Sequence, residues 1–394
     1  MIGELTKFRE FGTETVRSET FCAPLNLAVP TFTNEFWTSR QRAAHSLHEI
    51  SYRACFKPQL PRFFIERLTR PGEIVYDPFM GRGTTPVEAA LLGRVPFGCD
   101  INPLSAMLTR PRLADPDRAA IKQRLDSLDL RYDGELPEDL LVFYHPDTLR
   151  ELCALRRCFS EPHLSPADEW IRMVALNRLT GHSAGFFSVY TLPPNQAVSV
   201  ASQRKINARR NQVPEYRDVK KLILRKSESL WKDCSGSAPF FIGEPLLLSR
   251  GCGHTPEIQP DSVSLAVTSP PFLDVVDYKQ DNWLRNWFAS VDGDSLNITI
   301  ERTPAGWQSA MTQVFRELFR VLRPGGYVAF EVGEIRHGKL RMEELVLPAG
   351  AAAGLTPVLI VVNAQEFTKT SRCWGVDNHA GGTNTNRIVL FRKE

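Results

Sequence analysis

The sequence predicts an α/β protein, a doubly wound sheet of about seven strands carrying a helix-rich inserted subdomain. Three observations predict it. Strand-like apolar runs alternate with helical ones near the start and end of the chain. Two of those strands run directly into loops whose turn chemistry suits a small ligand. The stretch from about Ala114 to Ser235 is long, helix-prone and unlike the rest.

The first strand and loop lie at Ile74 to Phe79, within Tyr76-Asp77-Pro78-Phe79-Met80-Gly81-Arg82-Gly83-Thr84-Thr85. Gly81 and Gly83 let the backbone approach a ligand closely. Thr84-Thr85-Pro86 offers a helix cap followed by a proline in the first turn, and Val87 to Leu92 then reads as a helix closed by Gly93. A second strand, Val95 to Cys99, ends on Asp100, where a carboxylate can accept hydrogen bonds from ribose hydroxyls. Pro86 stands where a dinucleotide fingerprint needs a third glycine, and no phosphate-loop lysine follows. A nucleoside without phosphates fits better.

The other loop follows the apolar run Val263 to Thr268 and reads Ser269-Pro270-Pro271-Phe272. Two prolines fix the backbone and remove two N–H donors, so the carbonyls can face a substrate amino group. Phe272 adds a face for a stacked base. A control lies in the same chain: Leu192-Pro193-Pro194-Asn195 has no such strand before it and no aromatic after it, and reads as an ordinary loop.

In this order and context the two loops resemble motifs I and IV of the adenosylmethionine-dependent DNA amino-methyltransferases, over roughly residues 45–105 and 239–394. The resemblance implies a Rossmann-like methyltransferase sheet, S-adenosyl-L-methionine as cofactor and double-stranded DNA as partner, with the target base flipped out of the helix. Asp77, Pro78, Phe79, Gly81, Gly83, Thr84 and Thr85 would hold the methionine and sulfonium end, and Asp100 with Ile101 the ribose. Ser269 and the Pro270 carbonyl would accept from the exocyclic amine, beside Pro271, and Phe272 would stack. Phe56-Lys57-Pro58-Gln59-Leu60-Pro61 and the helix Arg62 to Leu68 resemble motif X, which covers the methionine moiety. Phe240 to Glu244 reads as a further strand, with Glu244 where the family usually shows an aspartate near the adenine ring.

Serine before the proline pair resembles cytosine-N4 enzymes, with N6 of adenine as the alternative. An RNA base amino-methyltransferase and a non-catalytic nucleic-acid binder are rival readings. No covalent cysteine nucleophile is required, and no Pro-Cys pair occurs. Analogy with restriction–modification systems implies a cognate restriction endonuclease as a separate protein.

The expected organisation is an N-terminal arm (1–44), a first catalytic part (45–113), a helical insertion acting as the target-recognition region (114–235) and a second catalytic part (236–394). Arg204, Lys205, Arg209, Arg210, Arg217, Lys220, Lys221, Arg225 and Lys226 face only Glu215 and Asp218 within twenty-three residues, in a chain of net charge +3. Such a stripe suits phosphate backbones, with Arg204, Lys205, Arg209, Arg210, Lys220 and Lys221 as the expected DNA contacts. Asn177, Arg178, His182, Asn195, Gln196, Gln203 and Asn207 add groups able to read base edges.

Downstream, Met311, Val314, Phe315, Leu318 and Leu322 keep helical spacing; Arg323-Pro324-Gly325-Gly326 ends that helix before a strand from Tyr327 to Val332, read as core. Leu359 to Val362 and Arg387 to Phe391 are the final strands. His45 and His48 read as local turn residues. The eight cysteines are scattered without a Cys-x-x-Cys pair, which suits reduced thiols and no metal site. No apolar stretch is long enough to span a bilayer, and a cytoplasmic enzyme is expected.

Overall fold

The computed structural model describes residues 1–38, 44–53, 55–161, 163–192, 197–234, 243–271, 278–296, 301, 303–332, 334–335, 340–364 and 385–394. Its strands are β1 (Val16–Cys22), β2 (Leu27–Asn34), β3 (Ile74–Asp77), β4 (Val95–Asp100), β5 (Leu246–Ser249), β6 (Val263–Thr268), β7 (Leu322–Val332), β8 (Glu334–Ile335), β9 (Leu340–Arg341), β10 (Thr356–Ala364) and β11 (Thr385–Arg392). All but β8 and β9 form one nine-stranded sheet in the order β1-β2-β10-β11-β7-β6-β3-β4-β5. From β5 to β7 the neighbours are parallel, and β11 runs antiparallel between β7 and β10.

Six of the seven expected strands are present, the sheet has β5 at Leu246–Ser249 where a strand was expected at Phe240 to Glu244, and it is two strands wider than expected. Residues expected as an arm fold into the hairpin β1–β2, and β2 pairs in parallel with β10. Composition explains the placement. Every residue of β6 is buried, as a central parallel strand covered on both faces requires, whereas β1 exposes Arg17 and Glu19 at the sheet edge.

Helices α1 (Ile2–Thr6), α2 (Gln59–Leu68), α3 (Thr84–Leu91), α4 (Pro103–Thr109), α5 (Arg118–Ser127), α6 (Pro146–Cys158), α7 (Pro166–Arg178), α8 (Val200–Arg210), α9 (Val219–Leu230), α10 (Tyr278–Phe288), α11 (Pro304–Val321) and α12 (Glu343–Ala352) cover the sheet and build the insertion. On one face Phe63, Phe64 and Ile65 of α2 pack on Val75, Leu265, Val267 and Ala329. On the other, Phe315 of α11 and Val346 of α12 pack on Tyr76, Phe330 and Phe391. The insertion shares a third cluster with α3 and α4; within it Trp170 Nε1 of α7 donates 3.0 Å to Ser227 Oγ of α9.

Three boundaries differ from expectation. Helix α3 begins at Thr84, so Gly83, at φ +78°, holds the cap position that the threonines were expected to fill. β7 begins at Leu322, directly after α11, and the Arg-Pro-Gly-Gly turn is absorbed as a register break between Val263 and Leu265 of its partner. β5 starts only at Leu246, and Phe240 to Ile242 lie outside the described residues. No helix among the described residues is long and apolar enough to cross a membrane.

Candidate active site

Because β4, β3, β6 and β7 are parallel neighbours, the loops that follow them open at one edge of the sheet. The chain runs from β3 outward to β4 and β5 and then returns to β6 on the other side, so a topological switch point lies between β3 and β6. There the two loops meet. Thr268 Oγ1 donates 2.6 Å to Asp77 Oδ1, and the Phe79 amide donates to the same oxygen at 3.0 Å. Thr85 Oγ1 donates 3.1 Å to the Val267 carbonyl, which ties α3 to β6. The Gly81 amide donates 2.9 Å to Asp100 Oδ2, and the Asn102 amide holds Oδ1 at 2.9 Å.

Burial dominates the electrostatics. Asp77 is 1 % exposed, and its carboxyl is pushed up to about 7 by desolvation, with Asp100 adding to the rise and the Thr268 and Phe79 bonds opposing it. Asp100 is also raised, chiefly by desolvation. Gly83 is needed for two reasons: φ of +78°, and a Cβ that would stand 2.2 Å from Thr109 Oγ1 of α4.

On the other side of the switch point Ser269 and Pro271 are half-buried and Pro270 is buried. The Pro271 carbonyl accepts 2.8 Å from Trp307 Nε1 of α11, which anchors the proline pair. Phe272 lies outside the described residues. Beside Ser269, the end of β7 places Glu331, a residue expected to belong to the core. Glu331 is 7 % exposed, its carboxylate accepts from the Ser269 hydroxyl, and Asn386 Nδ2 of β11 donates to its Oε1. Burial pushes it up to about 7, against the pull of both hydrogen bonds. An acid closing an otherwise apolar strand was the available signal.

His48 is likewise more than a local turn residue. Its Nε2 lies 2.7 Å from Glu88 Oε2 of α3, and Arg62 Nε of α2 donates 2.5 Å to Glu88 Oε1. Desolvation lowers the His48 pKa, against the pull of Glu88. Phe56 and Lys57 sit half-buried in the turn before α2, Phe56 packing on the cluster built around that helix. Ile101 follows Asp100, partly exposed. Glu244 is corrected: it is exposed and precedes β5, at the sheet edge opposite Asp100, so it is removed from the nucleoside side.

On the insertion, Arg204, Lys205, Arg209, Arg210 and Lys221 are exposed and Lys220 is partly so. Arg204 pairs with Asp139 at 3.1 Å, Arg210 lies 3.7 Å over the Tyr190 ring, and Lys220 Nζ donates 2.9 Å to the Asp126 carbonyl. Lys205, Arg209 and Lys221 form no ion pair with a described acid. Gln203 and Asn177, expected to read bases, are buried and bond the Tyr190 and Met173 carbonyls, and Asn207 bonds the Val142 carbonyl. Asn195 and Gln196 lie outside the described residues. Among the described residues no His, Cys, Asp and Glu group is arranged to hold a metal.

The loop residues fit a cationic nucleoside such as S-adenosylmethionine. Gly81, at φ +51°, leaves its would-be Cβ no neighbour closer than Tyr52 Cε1 at 3.8 Å, so bare backbone borders the space above the strands. Asp77, close to its ionisation point, is suited to a positive group, and Asp100 ends β4 with its carboxylate held by the Gly81 and Asn102 amides.

Comparison with known proteins agrees. The N6/N4 methyltransferase family, described as DNA methylase, matches residues 27–107. The Type II methyltransferase M.MjaII of Methanocaldococcus jannaschii is 35 % identical over 86 residues, 22 % of this chain and 16 % of that protein. M.MvaI of Kocuria varians is 34 % identical over 112 residues, 27 % of this chain and 23 % of that protein. M.BsoBI of Geobacillus stearothermophilus is 24 % identical over 304 residues, 66 % of this chain and 56 % of that protein. The chain thus spans less than two thirds of the length of each relative. Through the matched segment and these relatives, the chain is similar to the N6/N4 methyltransferases described as DNA methylases.

Proposed function

We propose that this protein methylates the exocyclic amino group of a base flipped out of double-stranded DNA, with N4 of cytosine favoured over N6 of adenine. The observation that carries the reading is the junction of the two loops, where Thr268, one residue before Ser269, is bonded to Asp77. A donor held by the first loop and an amine held by the second are thereby brought to one place. S-adenosylmethionine, when bound, would supply an electrophilic sulfonium methyl group to the amine nitrogen.

The chain's own residues position the partners. Asp77, with its ionisation point near neutrality, balances the positive end of the donor, and Asp100 takes the ribose hydroxyls. Ser269 Oγ and the Pro270 carbonyl accept from the amino protons, which localises the nitrogen lone pair, and Trp307 holds the loop rigid through Pro271. Lys205, Arg209 and Lys221 on the insertion contact phosphates. Serine at the head of the proline pair favours cytosine. A separate restriction endonuclease as partner rests on the Type II relatives.

Expression in a methylation-free bacterial host, followed by digestion of the genomic DNA to nucleosides and mass spectrometry, tests the reading. N4-methylcytosine is expected, and should be lost in Ser269→Ala. N6-methyladenine would change the base and keep the class, and methylated nucleosides confined to the RNA would overturn the substrate.

A further inference from the structure

The amine must lose a proton during transfer, and an amine conjugated into a base ring needs an acceptor close by to take it. Within the site, Ser269 is a relay without a sink: a hydroxyl that accepts a proton must pass its own onward. The structure places a carboxylate directly behind it. Parallel pairing sets Thr268 opposite Phe330, so the next residues along, Ser269 and Glu331, leave the ends of β6 and β7 side by side. The Ser269 hydroxyl is hydrogen-bonded to Glu331, and Asn386, reaching over from β11, bonds Oε1 and fixes the carboxyl.

We propose that Glu331 is the acceptor of the amine proton, acting through Ser269. This rests on the reading of the protein as an amino-methyltransferase. The step balances: as the N–C bond forms, the N–H electron pair returns to nitrogen, its proton moves to Ser269 Oγ, and the original Ser269 proton moves to Glu331. Ionised Glu331 also turns the serine proton away from the base, so the Oγ lone pairs face the amine; protonated Glu331 would donate to Oγ and remove that acceptor.

The position suits the task. Glu331 is nearly excluded from water and its ionisation point is raised to about 7 by burial, so near neutral pH it both releases and accepts a proton readily. Among the described residues no charged side chain adds to that balance. β6 carries none, Arg387 of β11 is paired at 2.7 Å with Glu343 of α12, and Glu317 and Arg320 of α11 are paired with each other at 2.6 Å. A neutral amide at 331 would keep the size of the side chain and the bond to Asn386 or Ser269, but would take no proton.

The test compares native protein with Glu331→Gln on DNA that the native protein methylates, together with infrared titration of the carboxyl C=O band in the protein alone. The native kcat should rise with pH to a plateau above about 7, while Glu331→Gln should lose roughly a hundredfold in kcat, lose that pH limb and keep its KM and its affinity for S-adenosylmethionine. Ser269→Ala with Glu331→Gln should cost little more than either change alone. The native protein should show two carboxyls titrating near pH 7, Asp77 and Glu331; the Glu331 band should be missing from Glu331→Gln and should remain in Asp77→Asn. A flat native pH profile, or a Glu331→Gln variant with native kcat, would overturn the proposal, as would an Asp77→Asn spectrum without a carboxyl band titrating near pH 7. A native protein that methylates no DNA would overturn the functional reading and this proposal with it, even with the carboxyl band in place. If Glu331→Gln binds no cofactor and has lost its fold, the native pH profile and the Asp77→Asn spectrum still decide.

Discussion

Thr268 and Asp77, 191 residues apart in sequence, are joined by a 2.6 Å hydrogen bond between the ends of two neighbouring parallel strands. The bond lies where the direction of winding reverses, and it couples the acid of the first loop to the residue that precedes the second. Replacing Thr268 by valine keeps the shape and removes the donor. The buried carboxylate then loses its strongest hydrogen bond, and unfolding in urea should show a loss of about 1–3 kcal/mol. The loss should be larger at pH 8 than at pH 6, because the ionised form suffers more.

Asp77 also predicts how stability varies with pH. Its carboxyl is raised from 3.8 to about 7 in the fold, so between those values the native state holds a proton that the unfolded chain releases. Stability contributed by this group is therefore fully present below pH 3.8 and is lost as pH rises through about 7, up to roughly 4 kcal/mol. Urea unfolding of Asp77→Asn should show a shallower decline from pH 5 to 8 than native protein. The residual slope belongs in part to Glu331, which is raised from 4.5 to about 7.

The same group predicts a pH-dependent affinity for the donor. A positive ligand favours ionised Asp77, so equilibrium dialysis should show S-adenosylmethionine binding more tightly as pH rises through about 7. Asp77→Asn should weaken binding about tenfold or more and abolish the pH dependence. Glu331→Gln should leave that dependence intact, which separates the two acids.

Gly83→Ala would force an L side chain to φ +78° and bring its Cβ 2.2 Å from Thr109 Oγ1. The expected cost is about 2 kcal/mol or more in thermal or urea unfolding, with donor binding lost first. Pairing it with Thr109→Ala should relieve the clash and leave the backbone strain, giving partial recovery.

The basic surface divides by partner. Lys205→Glu, Arg209→Glu and Lys221→Glu should each lower DNA affinity and reduce the steepness of its salt dependence by about one unit for every phosphate no longer neutralised. Arg204→Glu should do less, since Arg204 is already engaged with Asp139 at 3.1 Å. Filter binding across a salt series reads both quantities.

The site was legible where its chemistry is local in sequence. Gly81, Gly83, Asp77 and Ser269 announce themselves because a strand, a positive φ and a proline pair are all set by adjacent residues. Glu331 and His48 did not, because what makes them more than core and turn residues is a partner brought in from another element: Ser269 for one, Glu88 for the other. Gln203 and Asn177 misled in the opposite direction, as amides that look fit to read DNA but satisfy buried carbonyls. The alternation of strands and helices was readable from periodicity. The hairpin β1–β2 was not, because its partner strand lies at the far end of the chain.

That partnership constrains how the molecule can be assembled. Thr31 to Asn34 lie beside Ile360 to Asn363, and the Phe36 amide donates 2.7 Å to Asn363 Oδ1. On a ribosome delivering about 5–20 residues per second, the early hairpin must wait for most of the chain to emerge before it has an edge to join. Until then Phe32, buried in the finished fold, lacks the strand beside it, and this is the interval in which a chaperone would find the nascent protein.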